Sequence, residues 1–220
     1  HARGTIVAVT EDHCVPARNW VATIERRMRA GCAVVGGGVE DAWGGRLCDR
    51  AAFLTEYAGA MPPVADGPVA QLPSNNVAYT RPLLDGLCAT LDGGLWESFY
   101  YEQLTARGIL LNSAPEMLVY HHRPFDFRYF VGQRYHYCRS FAAMRGQFFT
   151  PARRLVYALG SVLLPLLLVL RSLRTLVRKR RFVGCYVRCL PLIAIYVTVG
   201  AIGEMIGYTA GGGVSLEKVE

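Results

Sequence analysis

Two stretches near the C-terminus restrict this chain more than any other part of it. Leu155 to Leu170 runs 16 residues without a charge, interrupted by Pro165, and Cys189 to Gly203 runs 15 more. Between them, Arg171 to Arg181 holds six basic residues in eleven. At about 1.5 Å per helical residue the first run reaches roughly 24 Å, short of a hydrocarbon core of about 30 Å. Two arrangements compete: a pair of transmembrane helices, or re-entrant or interfacial helices kinked at Pro165 and Pro191. Burial inside a soluble domain would leave the basic connector without a physical reason.

Charge separates this region from the rest. Residues 1–150 carry 14 Lys or Arg and 14 Asp or Glu, so the whole net charge of +7 belongs to residues 151–220. A nucleic-acid binder would carry its positive charge on the folded domain, and nucleic acid is excluded as a partner on that ground. A basic, apolar tail fits membrane lipids with anionic headgroups. The expected organisation is a neutral domain over residues 1–150 and a membrane-associated helical region over 151–220. Seven cysteines, odd in number and with no CxxC pair, argue against a disulfide framework or a zinc ribbon and fit a reducing cytosolic setting.

The first domain reads as α/β. Thr5 to Thr10 is a β-branched apolar run, as expected of a strand covered on both faces. Glu11-Asp12-His13-Cys14 follows, and Pro16 opens a helical stretch to about Ala30 with Trp20, Val21, Ile24 and Met28 on one face. Cys32 to Val39 reads as a second strand, broken by Gly36-Gly37-Gly38. Met61 to Pro73 reads as a loop, Asn75 to Tyr79 as a strand or turn, and Arg81 to Leu91 as a helix. Leu95 to Arg107 is a further helix stopped by Gly108, Met117 to Tyr120 a strand ending in His121-His122, and Phe125 to Arg145 a polar, aromatic helix. This order places ligands at the carboxyl ends of strands.

The residues with chemistry gather at those ends. Two carboxylates and an imidazole, Glu11, Asp12 and His13, can hold a divalent cation (Mg2+ or Mn2+) against a diphosphate, where it offsets the charge building on a leaving group. A carboxylate at a helix start, as at Glu97, is held ionised by the helix dipole and can accept a proton from a hydroxyl. A metal hydrolase built on His13, His121, His122 and His136 lacks an HExxH or similar spacing.

Several of these segments, in order, resemble the family 2 glycosyltransferases. Val7 to Pro16 with Trp20 is similar to the family's DxD segment, with Glu at its first position and His at its last; a DxH variant is known in other glycosyltransferases of the GT-A fold. Ser74 to Arg81 resembles its segment of small residues, Asn and Arg. Leu95-Trp96-Glu97 through Gly108 resembles its acidic helix, which implies Glu97 as catalytic base. Val119-Tyr120-His121-His122 resembles the late strand whose His completes the metal site, favouring His121. Gln133-Arg134-Tyr135 with Arg139 is a degenerate match to QxxRW, which implies cations near the diphosphate.

The resemblance implies a partial GT-A (nucleotide-diphospho-sugar transferase) domain followed by two hydrophobic membrane-associated helices. The expected site is Glu97 as base, Asp12, Arg134 and Arg139 toward the donor diphosphate, and Glu11, His13 and His121 on the metal. The expected activity is metal-dependent, inverting transfer from a nucleotide-sugar donor to a glycan or lipid-linked acceptor at the inner (cytoplasmic) membrane, facing the cytosol. That orientation conflicts with a cytosolic basic connector if the first apolar run makes one straight crossing. His1 leads directly into a strand, so the donor-binding first half of such a domain is expected upstream of it. A non-catalytic membrane scaffold derived from such an enzyme is the alternative.

Overall fold

The structure, a computed structural model, describes residues 2–90 and 97–219, with the side chains of residues 88–90, 97 and 98 also outside the description. It divides into two compact units, residues 1–43 with 60–123 and residues 44–59 with 124–220. The expected mixed α/β character is present, with a sheet and two long apolar helices.

The first unit is built on a six-stranded sheet. Its strands are β1 (Ile6–Thr10), β2 (Cys14–Pro16), β3 (Val34–Asp41), β4 (Gly67–Val69), β5 (Asn76–Thr80) and β6 (Leu111–His121). The order is β1-β5-β3-β6-β2, with β4 beside the first residues of β6. Only β3 and β6 pair in parallel; the other pairings are antiparallel. Helix α1 (Trp20–Arg29) packs on β3 and β6. Val34, Leu72, Val77, Tyr79, Leu87, Tyr101, Leu104 and Leu111 form a core cluster that joins β3, β5 and β6 to the helices Arg81–Thr90 and Glu97–Ala106.

Three local expectations give way here. Among the described residues β1 pairs only with β5, at the edge of the sheet, and Ala8, Val9 and Thr10 are exposed instead of covered on both faces. Pro16 does not open a helix: it ends β2, opposite Val119, in a position where its missing N–H costs nothing to an outer strand. Val21 is exposed, while Thr23 joins Trp20 and Ile24 on the buried face, as the 3.6-residue period requires.

The three glycines do not break β3; they let it pass between two neighbours. A Cβ on Gly37 would run into the carbonyl of Met117, and one on Gly36 would lie 2.7 Å from the Asn76 carbonyl oxygen. The pairing of β3 with β6 shifts register between Gly36 and Gly38, which leaves main-chain groups without ladder partners. The fully buried Asn76 side chain serves two of them: its Nδ2 donates to the Gly38 and Met117 carbonyls, each at 2.8 Å, while its Oδ1 accepts from the Trp20 side-chain Nε1 at 2.8 Å.

The second unit is helical. Its helices are α2 (Leu47–Tyr57), α5 (Phe127–Gly146), α6 (Pro151–Gly160), α7 (Leu164–Lys179) and α8 (Val183–Ala210), α3 (Arg81–Thr90) and α4 (Glu97–Ala106) belonging with α1 to the first unit. A single 3₁₀ turn, Ser161–Leu163, joins α6 to α7. Helix α2 has no counterpart in the sequence expectations. It is anchored by buried Asp49, which accepts from the backbone N–H of Arg46 and of Phe125, both at 2.8 Å. Gly203 and Gly207 let α8 lie directly on α5, since a Cβ on either would meet the carbonyl of Tyr135 or Arg139. Pro151–Lys179 and Val183–Ala210 are each long and apolar enough to cross a membrane. Only 11% of the apolar stretch of the first is buried, against 39% for the second.

Candidate metal centre

Strand pairing makes the site. The end of β1 runs into Glu11, the chain turns with the Cys14 N–H donating to the Glu11 carbonyl at 3.0 Å, and β2 then pairs Cys14 with His121 at the end of β6. The His122 N–H continues the ladder to the His13 carbonyl at 2.9 Å. Alternation along β6 buries His121, 2% exposed, and leaves His122 in solvent. The rings of His13 and His121 meet edge to face with centroids 4.6 Å apart. One ligand atom each from Glu11, His13 and His121 falls within 4.8 Å of the others.

The surrounding atoms set the orientation and charge of these side chains. His13 Nδ1 lies 2.8 Å from Asp12 Oδ1, and that hydrogen bond, followed by the charge of His13, holds the Asp12 carboxyl below its ordinary range. The partner orients the ring and leaves Nε2 for a ligand, the usual arrangement behind a metal-bound histidine. Nε2 in turn lies 3.0 Å from Glu11 Oε2. Two lone pairs cannot face each other at that distance, so a proton or a cation belongs between them. Glu11 Oε2 also accepts from Asn75 Nδ2 at 3.1 Å. Burial, then the charges of His13, Arg123 and His122, push the His121 imidazole down to about 4. It is therefore neutral at neutral pH, as a ligand must be. Burial, then Glu11, pushes the Cys14 thiol up to about 12, so Cys14 stays a thiol 3.8 Å from Glu11 Oε2 rather than a thiolate ligand. These residues fit a divalent ion.

Asp12 is exposed and sits behind His13, outside the three-residue group. Glu97 is the first residue of α4, whose later turns pack on β6, and its side chain lies outside the described residues. Arg134 and Arg139 belong to the second unit and are engaged within it. Arg134 Nη1 pairs with Glu56 at 2.9 Å, and its guanidinium lies 5.4 Å from the Tyr137 ring centroid. Arg139 Nε donates to the Gly211 carbonyl just past α8, at 2.9 Å. No sequence motif marks Asn75 as a partner of Glu11; its contact with Glu11 depends on the pairing of Thr10 with Asn76. Among the described residues, Glu11, His13 and His121 are the one group of three or more His, Cys, Asp or Glu side chains placed to share a metal ion.

No family model matches the chain, and no curated protein matches it.

Proposed function

We propose that this chain carries part of the catalytic machinery of a membrane-associated glycosyltransferase of the GT-A type, with Glu11, His13 and His121 holding a divalent cation. The observation that carries the reading is the convergence of those three side chains at strand ends, in the place where the resemblance to the family 2 enzymes calls for a metal. The cation would neutralise charge on the diphosphate of a nucleotide sugar. Asp12 keeps the His13 ring turned toward the ion, and Asn75 steadies the Glu11 carboxylate. Glu97 takes the proton of the acceptor hydroxyl, so that direct attack inverts the anomeric centre. Two imidazoles with one carboxylate suit a first-row ion such as Mn2+ better than Mg2+, which prefers oxygen ligands alone. The reading puts the catalytic part on the cytosolic side of the cytoplasmic membrane, near a glycan or lipid-linked acceptor.

The test uses the full chain in neutral detergent. Mn2+ is expected to raise its melting temperature more than Mg2+ does, and the double variant His13→Ala, His121→Ala to lose that response. Identical Mn2+ titrations in both proteins would remove the metal site. In a protein extended through the donor-binding half expected upstream, release of nucleoside diphosphate from a panel of nucleotide sugars is expected to need Mn2+ and to vanish in Glu97→Gln with Mn2+ binding unchanged. Unchanged release would remove Glu97 as base.

A further inference from the structure

Helices α6 and α7, with the 3₁₀ turn between them, present one exposed stripe that changes chemistry along its length. Leu155, Val156, Leu159, Val162, Leu163, Leu166, Leu167 and Leu170 are each at least half exposed and follow one another at helical spacing. On the same stripe stand Arg171, directly after Leu170, and Arg174 and Arg178, one and two turns further on, all exposed. None of the three makes an ion pair or a side-chain hydrogen bond within the described structure. The other side of these helices packs on α8, with Ala158, Ser161 and Leu176 buried. Water alone does not favour so continuous an apolar face.

We propose that Arg171, Arg174 and Arg178 form a binding site for the phosphates of anionic phospholipid headgroups, seated at the boundary where the leucine stripe enters the acyl region. Three features carry the choice of occupant. The apolar stripe is long enough to cover much of a leaflet, whether the helix crosses or lies along the interface. The cations begin where the leucines stop, on the same face, so one lipid can meet both. Only three acidic residues lie in residues 151–220, against ten basic ones, so little on this tail competes for the arginines. The guanidinium fork matches a phosphate in two hydrogen bonds, which an ammonium does not. The proposal rests on the membrane reading of this unit and is independent of sugar transfer.

The experiment titrates dioleoylphosphatidylglycerol, dioleoylphosphatidylcholine or inorganic phosphate into the full chain in neutral detergent micelles and follows the melting temperature. Phosphatidylglycerol is expected to raise it, and the other two to leave it unchanged. Each arginine removed should weaken the response about fivefold, so Arg171→Gln, Arg174→Gln, Arg178→Gln together should require on the order of a hundredfold more lipid. The variant should melt like the parent without lipid, because all three side chains are exposed. A control that removes the same charge elsewhere, Arg3→Gln, Arg18→Gln, Arg107→Gln, should keep the lipid response. The proposal falls if the first triple variant keeps its shift, if the control loses it equally, or if inorganic phosphate reproduces it.

Discussion

Asn76 shows how one buried polar side chain can hold a candidate site together. It closes two hydrogen bonds that the glycine-rich crossing of β3 leaves open and a third to the Trp20 indole N–H, and its backbone pairs with Thr10, the residue before Glu11. Asn76→Ala leaves the Trp20 N–H and two carbonyls buried without partners. It is expected to cost roughly 2–4 kcal/mol, read as a shift in the denaturant midpoint of the first unit. Asn76→Asp keeps the shape but puts an acceptor against two carbonyl oxygens, and should be at least as damaging. Equal midpoints for Asn76→Ala and the parent would show that water satisfies these groups. The same logic separates the two adjacent histidines: only the inward side of β6 can offer a ring to His13, so His121 and not His122 can join the cation group.

At the scale of elements, close approach decides what packs. Gly203 and Gly207 lie a turn apart on α8 and let its backbone rest on that of α5. Gly203→Leu forces a side chain into the Tyr135 carbonyl, and separation of the two helices should follow. The expected effect is a loss of about 1–3 kcal/mol or more, seen as a lower melting temperature in detergent, with Gly184→Leu, where a Cβ meets nothing nearby, as the neutral comparison. Matching melting temperatures for the two variants would mean that α5 and α8 are not held by this contact. The same glycines let the polar α5 serve as a partner for an apolar helix, a pairing that no residue pattern in α5 signals. Two of its cations are engaged there, Arg134 with Glu56 and Arg139 with the Gly211 carbonyl.

For the whole chain, the consequence is that the units do not follow chain order. Residues 44–59 form α2 inside the unit that contains α8, and Cys189 Sγ approaches the Leu47 carbonyl at 3.7 Å. A chain ending at residue 150 would leave α2 and α5 without α8, and is expected to aggregate or to lose about the helicity of those two elements by circular dichroism. A soluble, fully helical product would show that they stand without it. What the sequence determined by itself is the part governed by local period and composition: the apolar runs with their basic connector, the strand before Glu11, the helix from Trp20 with its buried face, and a carboxylate–imidazole cluster in one turn. What only the tertiary structure decided is non-local. Antiparallel pairing of β2 with β6 brought His121 beside His13, a register shift at three glycines created the need for Asn76, and helix α2 joined the second unit. Side-chain period reveals which face of an element is buried, but which other element covers it depends on long-range pairing, whose loop-closure cost and reward leave no mark in any short window of residues.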